Sequence, residues 1–252
     1  MKTSAERAIS TVPGTVLALL AAALASQLAL KALEPRPAAT AADLPQAPPT
    51  AALRLASLGE PIAAANLLSL YLQAFDTQPG ISIPFQDLDY DRVEDLLIRI
   101  LELDPPGQYP LLMASQVYSQ VPDEKKQRQM LDLAYRQFLL DPNRRWRWLA
   151  HAAIMAKHRL NDPGLALRYA RAINQHANST EVPAWARQMH IFVLEDMGEH
   201  ETAKILLGGL LASGAVTDAH EAHFLTERLK ALETVEKSSK SSDSRLRHRR
   251  KD

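Results

Sequence analysis

Asn143-Arg144-Arg145-Trp146-Arg147-Trp148 sets three guanidinium groups among two indoles within six residues. Guanidinium forks clamp carboxylates, and indole faces attract cations and stack on flat groups. Arg144, Arg145, Trp146, Arg147 and Trp148 are therefore the candidate partner-binding residues. The competing expectation is that both Trp pack between helices while the Arg are solvated. Arg168, Arg171 and Arg187 are nearby cations that would extend such a surface.

Two other clusters invite chemistry and fall short of it. His220-Glu221-Ala222-His223 resembles a zinc-protease helix, but that chemistry needs His at i and i+4, and here the spacing is i, i+3. A metal-dependent hydrolase using His220 and His223 is the alternative from the enzyme class. Asp87, Asp89 and Asp91 alternate as in a calcium loop, yet positions six and twelve are Arg92 and Ile98 where Gly and Glu are required. The run suits the N-terminus of a helix beginning near Tyr90, where the dipole favours carboxylates. No Ser/His/Asp arrangement stands out, so no enzyme activity and no cofactor are expected.

Composition narrows the classes further. The 252 residues include no cysteine, which excludes disulfides, thiolate metal sites and a Cys nucleophile. Nine glycines form no phosphate-cradling run. Lys+Arg and Asp+Glu both number 29, so overall charge points to no nucleic-acid partner. The charge is unevenly placed, however. Residues 237–252 hold seven Lys/Arg against Asp243 and Asp252, a net of +5, leaving −5 on the rest. Low hydrophobicity with like charge predicts a disordered basic tail over 237–252.

Four segments follow. Ala8 to Leu30 is uncharged and rich in Ala, Leu and Val, long enough at ~1.5 Å per residue to cross a hydrocarbon core of ~30 Å. Residues 1–33 are read as a tail and retained membrane anchor, with cleavage after Ala23-Leu24-Ala25 as the rival. Membrane contact is assigned to residues 8–33. Its short basic N-tail predicts a single-pass inner-membrane protein with a periplasmic body. Gly14, Ala18, Ala22 and Ser26 recur every four residues, a small-residue face through which two copies would dimerise. Residues 34–50 carry five prolines and read as an extended spacer. Residues 51–236 show apolar positions at three- and four-residue intervals, and so an all-α body.

Within that body a phrase repeats. VEDLLIRILELDP begins at Val93, MLDLAYRQFLLDP at Met130, ALRYARAINQHAN at Ala166 and AKILLGGLLASG at Ala203, intervals of 37, 36 and 37 residues. Turns precede the last two copies at Leu160-Asn161-Asp162-Pro163-Gly164 and Met197-Gly198-Glu199-His200, and Leu58-Gly59-Glu60-Pro61 looks like a further repeat turn. Leu101-Glu102-Leu103-Asp104-Pro105 and the Gly198-to-Ala203 spacing resemble the closing phrase and the turn of the tetratricopeptide repeat family, over roughly Ala51 to Ser213. The period is two or three residues longer than the family's, the last two copies lack the closing Pro, and the Trp-Leu-Gly phrase is absent. The resemblance implies a right-handed solenoid of helical hairpins whose A helices line a groove, where basic residues hold acidic peptide ends. Thr217 to Val235, with Phe224, Leu225, Leu229 and Leu232 on one side, would be its capping helix. The expected function is a membrane-anchored scaffold or assembly factor that binds a protein partner. The alternative binding protein is a cytosol-facing adaptor whose tail engages anionic lipid or nucleic acid.

Overall fold

A computed structural model describes residues 12–33, 41–78, 80–214 and 216–249, with side chains through Thr234. They form two units, an N-terminal one comprising the chain to Ala42 with residues 78–81, and a helical body comprising the rest. In the first unit, α1 (Gly14–Leu33) is long and apolar enough to cross a bilayer. Its Ser26 hydroxyl donates to the Ala22 carbonyl at 2.8 Å, which satisfies that polar group inside the helix. Residues 8–11 of the expected anchor lie outside the described residues.

The body contains ten of the eleven described α-helices: α2 (Thr50–Ala56), α3 (Pro61–Ala74), α4 (Tyr90–Leu103), α5 (Tyr109–Leu112), α6 (Glu124–Leu140), α7 (Pro142–His158), α8 (Pro163–His176), α9 (Ala184–Asp196), α10 (His200–Ala212) and α11 (Ala219–Arg249). The starts are written locally. Asp89 caps α4 by accepting from the Asp91 and Arg92 amides, as the acidic run predicted. Asp123 and Asp162 do the same for α6 and α8. Proline opens α3, α7 and α8, where its missing N–H would have had no partner. The repeated phrases fall on α4, α6, α8 and α10, which end at Leu103, Leu140, His176 and Ala212, intervals of 37, 36 and 36 residues. The turn residues Gly59, Asn161 and Gly198 have left-handed φ of +94°, +48° and +80°, as does Leu58 at +52°. In a leucine that conformation costs about 1–2 kcal/mol.

Each helix from α6 to α11 packs on the next, and α4 also meets α6 as α7 meets α9. Small residues allow this closeness: Ala152, Ala153 and Ala156 of α7 and Ala166, Ala170 and Ala172 of α8 are all buried. Two apolar cores result. One joins Leu72, Val93, Leu97, Met113, Tyr118 and Met130; the other joins Leu131, Phe138, Leu149, Tyr169, Ile191 and Leu207. α6 serves both, turning Met130 and Leu133 to the first and Leu131 and Phe138 to the second.

Five local features differ from the sequence reading. The spacer is not free along its length: Leu44 is 2 % exposed, Ala47 packs beside it and the Arg92 guanidinium donates to the Leu44 carbonyl. Leu44 is the one large apolar residue in 34–49, and its burial holds the spacer against the body at that point while residues 41–49 keep free of helix and strand. The long connection after α3 holds a two-residue ribbon, Thr77–Gln78 with Ile81–Ser82. α5 continues as a π turn (Met113–Val117) and a 3₁₀ turn (Tyr118–Gln120), where Ser115 and Ser119 hydroxyls donate to carbonyls four residues back. The α11 backbone runs on to Arg249 through residues read as a disordered tail, a stretch with no Gly or Pro to stop a helix. In α11, Leu225 and Leu232 are buried, whereas Phe224, one residue and about 100° away from Leu225, is 56 % exposed and meets the Phe192 ring of α9 at 6.2 Å.

Candidate protein-interaction surface on α7

Asp141 and Pro142 set the phase of α7. From that start, Arg145, Leu149, Ala152, Ala153 and Ala156 share the inward face, so the three arginines of the run must separate. Arg145 is 4 % exposed. Its guanidinium donates to the Gln137 carbonyl at 2.7 Å, the Gln137 side chain at 2.9 Å and the Pro105 carbonyl at 2.9 Å. It thereby ties α7 to the last turn of α6 and to the turn after α4. Its Nε has no partner. Burial pulls its pKa below the ordinary value, with Asp141 acting in the opposite direction. Arg145, read in the sequence as a partner-binding residue beside Arg144 and Arg147, is thus buried and bonded within the fold, and it is not solvated as the competing reading required.

Arg144 and Arg147 are exposed. Arg144 pairs with Asp141 at 3.1 Å, one turn back. Arg147 lies over the Trp146 ring at 5.5 Å, a cation–π contact at the surface. Trp146 in turn meets Trp185 of α9 edge-to-face at 5.4 Å, and Trp185 is 52 % exposed. The Asn143 side chain accepts from the Ser179 amide at 2.9 Å, which fixes the loop leading into α9 and so places Trp185. On the other shoulder of α7, the Trp148 indole donates to Gln108 at 2.6 Å. All three tryptophans of the chain therefore gather on α7 and α9. Further along α7, Ile154 and His158 are exposed and His151 is half-buried. His151 Nε2 is buried without a protein partner, and burial lowers its pKa.

On the surface of α4, α6 and α8, several charges are paired with one another. Glu94 pairs with Arg136, Arg136 with Asp132, and Arg128 with Asp162 at 2.8 Å. Arg168 does not join the tryptophan surface. It stacks over Tyr135 and Tyr169 at 5.1 and 5.3 Å, where burial pushes the Tyr169 hydroxyl up to about 12. Arg187 binds the Ser179 carbonyl, and Arg171 is exposed on α8. His220 and His223 are exposed, while the Glu221 carboxylate accepts from Gln188 at 2.6 Å. Among the described residues, no three His, Asp or Glu side chains gather as a metal-holding group.

Trp185 and Gln108 were missed in the sequence, and Asn143 was named there with no role. Trp185 had a usable signal, since it stands 37 residues after Trp148, one repeat interval. Compared with known proteins, the chain matches no family model, no curated protein and no solved structure.

Proposed function

We propose that this chain is a membrane-anchored interaction protein of the cell envelope. Its body is a tetratricopeptide-like solenoid with the periplasmic orientation argued above, and its partner is another protein, seated along α7 and α9. Repeat spacing, left-handed turns and stepwise helix packing support the solenoid reading. One observation carries the choice of surface: Trp146, Trp185 and Arg147 form a half-exposed aromatic–cation cluster. Trp and Arg dominate binding energy at protein interfaces, because rigid rings bury large area at low entropic cost. On α4, α6 and α8, Glu94, Arg136, Asp132, Arg128 and Asp162 are engaged in ion pairs, and among the described residues that side carries no comparable aromatic cluster at its surface.

The test is co-purification from detergent-solubilised membranes. Arg144→Glu with Arg147→Glu should release the bound protein while the far-ultraviolet circular dichroism stays unchanged, and Trp185→Ser should weaken retention in the same way. Retention by both variants would place the binding surface elsewhere.

A further inference from the structure

The N-terminal corner of the body carries an apolar surface that the fold does not use. Leu55, Leu58, Ile62, Leu67, Leu70 and Tyr71 are exposed within seventeen residues. The inward face of α3 is filled by Ala65, Ser69 and Leu72. Between Arg54 and Asp76 the sole charged residue is Glu60. Leu67, Leu70 and Tyr71 share the side of α3 opposite that inward face, within about 100° of one another, and exposed apolar surface of this kind marks a binding face for protein or membrane. Leu58 sharpens the point, because it holds a left-handed φ of +52° while 92 % exposed, a strained conformation with almost no internal contact in return.

We propose that the outward face of α2 and α3 lies on the bilayer surface, so that the body rests on the membrane that α1 enters. The inference rests on reading α1 as an anchor. α2 and α3 together are apolar enough for a span, but they meet at a bend of 111° and their other faces belong to the core. That combination lies on a bilayer instead of crossing it. The tether supports the same occupant. Because Leu44 is built into the body, only residues 34–43 separate it from the end of α1 at Leu33. Fully extended, that connection reaches about 40 Å at most, so the N-terminal corner stays within about one small-domain width of the lipid. Tyr71 supplies an aromatic ring with a polar tip, suited to the headgroup boundary.

The absence of cysteine makes the test direct. Full-length Leu67→Cys, Leu70→Cys, Ile205→Cys and Leu20→Cys chains are labelled with nitrobenzoxadiazole and reconstituted in phosphatidylcholine vesicles, with and without lipid spin-labelled at a shallow or a deep acyl carbon. Ile205 is the matched control, 70 % exposed against 68 % for Leu67, but on α10. For a face immersed ~5–10 Å, the shallow quencher should dim the Leu67 and Leu70 labels at least about twofold and blue-shift their emission, leaving the Ile205 label unchanged. The Leu20 label should respond to the deep quencher. Leu67 and Leu70 labels indistinguishable from Ile205 would overturn the inference. So would energy transfer between copies labelled at Leu67 without lipid quenching, which would assign the face to a second chain. A silent Leu20 label with quenched Leu67 and Leu70 would overturn the spanning helix and leave the surface contact standing.

Discussion

Three arginines within four residues should behave as two kinds of residue. Replacing Arg145 with Met keeps the aliphatic stem and removes the guanidinium. The lost interactions are three hydrogen bonds from a charged donor, to Gln137 twice and to Pro105. Such bonds contribute about 1.5–3 kcal/mol each when they are kept, less the cost of desolvating the cation, and the acceptors left behind are partly open to water, which limits the penalty for leaving them unpaired. A net loss of about 3 kcal/mol follows, which for a chain of this size lowers the thermal midpoint by about 6–12 °C. Arg144 has only an exposed i, i+3 pair with Asp141, with about 0.5 kcal/mol or less at stake. Arg147 loses a surface cation–π contact of about 0.5–1 kcal/mol. Thermal unfolding followed at 222 nm on the detergent-solubilised chain checks all three. An Arg145→Met variant as stable as the parent, or an Arg147→Ala variant as damaged as Arg145→Met, would refute the burial argument.

The remaining predictions are local. Asp89→Ala should cost about 1 kcal/mol through the lost α4 cap, and Asp162→Ala about 1–2 kcal/mol because its carboxylate also holds Arg128, both read from denaturant midpoints. Gly198→Ala should cost about 1 kcal/mol from its φ of +80° alone, since an added Cβ meets nothing within 4 Å. Burial lowers the pKa of His151, so on acidification the unfolded chain takes up the proton first. Stability is then constant above the unfolded value of about 6.5 and declines from there down to the lowered native value. His151→Gln should flatten that decline in unfolding curves taken between pH 7 and 5, with His190, also lowered chiefly by burial, supplying what slope remains.

The helices were legible because their ends are local chemistry. Asp89 and Asp162 cap, Pro61, Pro142 and Pro163 open helices, and Gly198 turns the chain. The fate of Arg145 was legible in principle, since it lies one turn before Leu149 on the face that Ala152, Ala153 and Ala156 continue. Composition hid this, because an Arg-Arg-Trp-Arg run reads as surface until the helix phase is fixed. Docking of Leu44 and the meeting of Trp146 with Trp185 depend on contacts far apart in sequence, which no local pattern specifies. The uneven winding of residues 113–120 is of the same kind. There the buried Tyr118 ring must meet Phe85 and Tyr90, edge-on at 5.5 and 6.2 Å.

Site-specific crosslinking tests the central claim most directly. A photo-reactive amino acid placed at Arg147, at Trp185 or at Ile205 in the full-length chain reports which surface meets the partner in the membrane. The α7–α9 account predicts one adduct of the same mass from positions 147 and 185, none from 205, and loss of the 185 adduct when Arg144 and Arg147 are reversed to Glu. An adduct from 205 with none from 147 or 185 would contradict it.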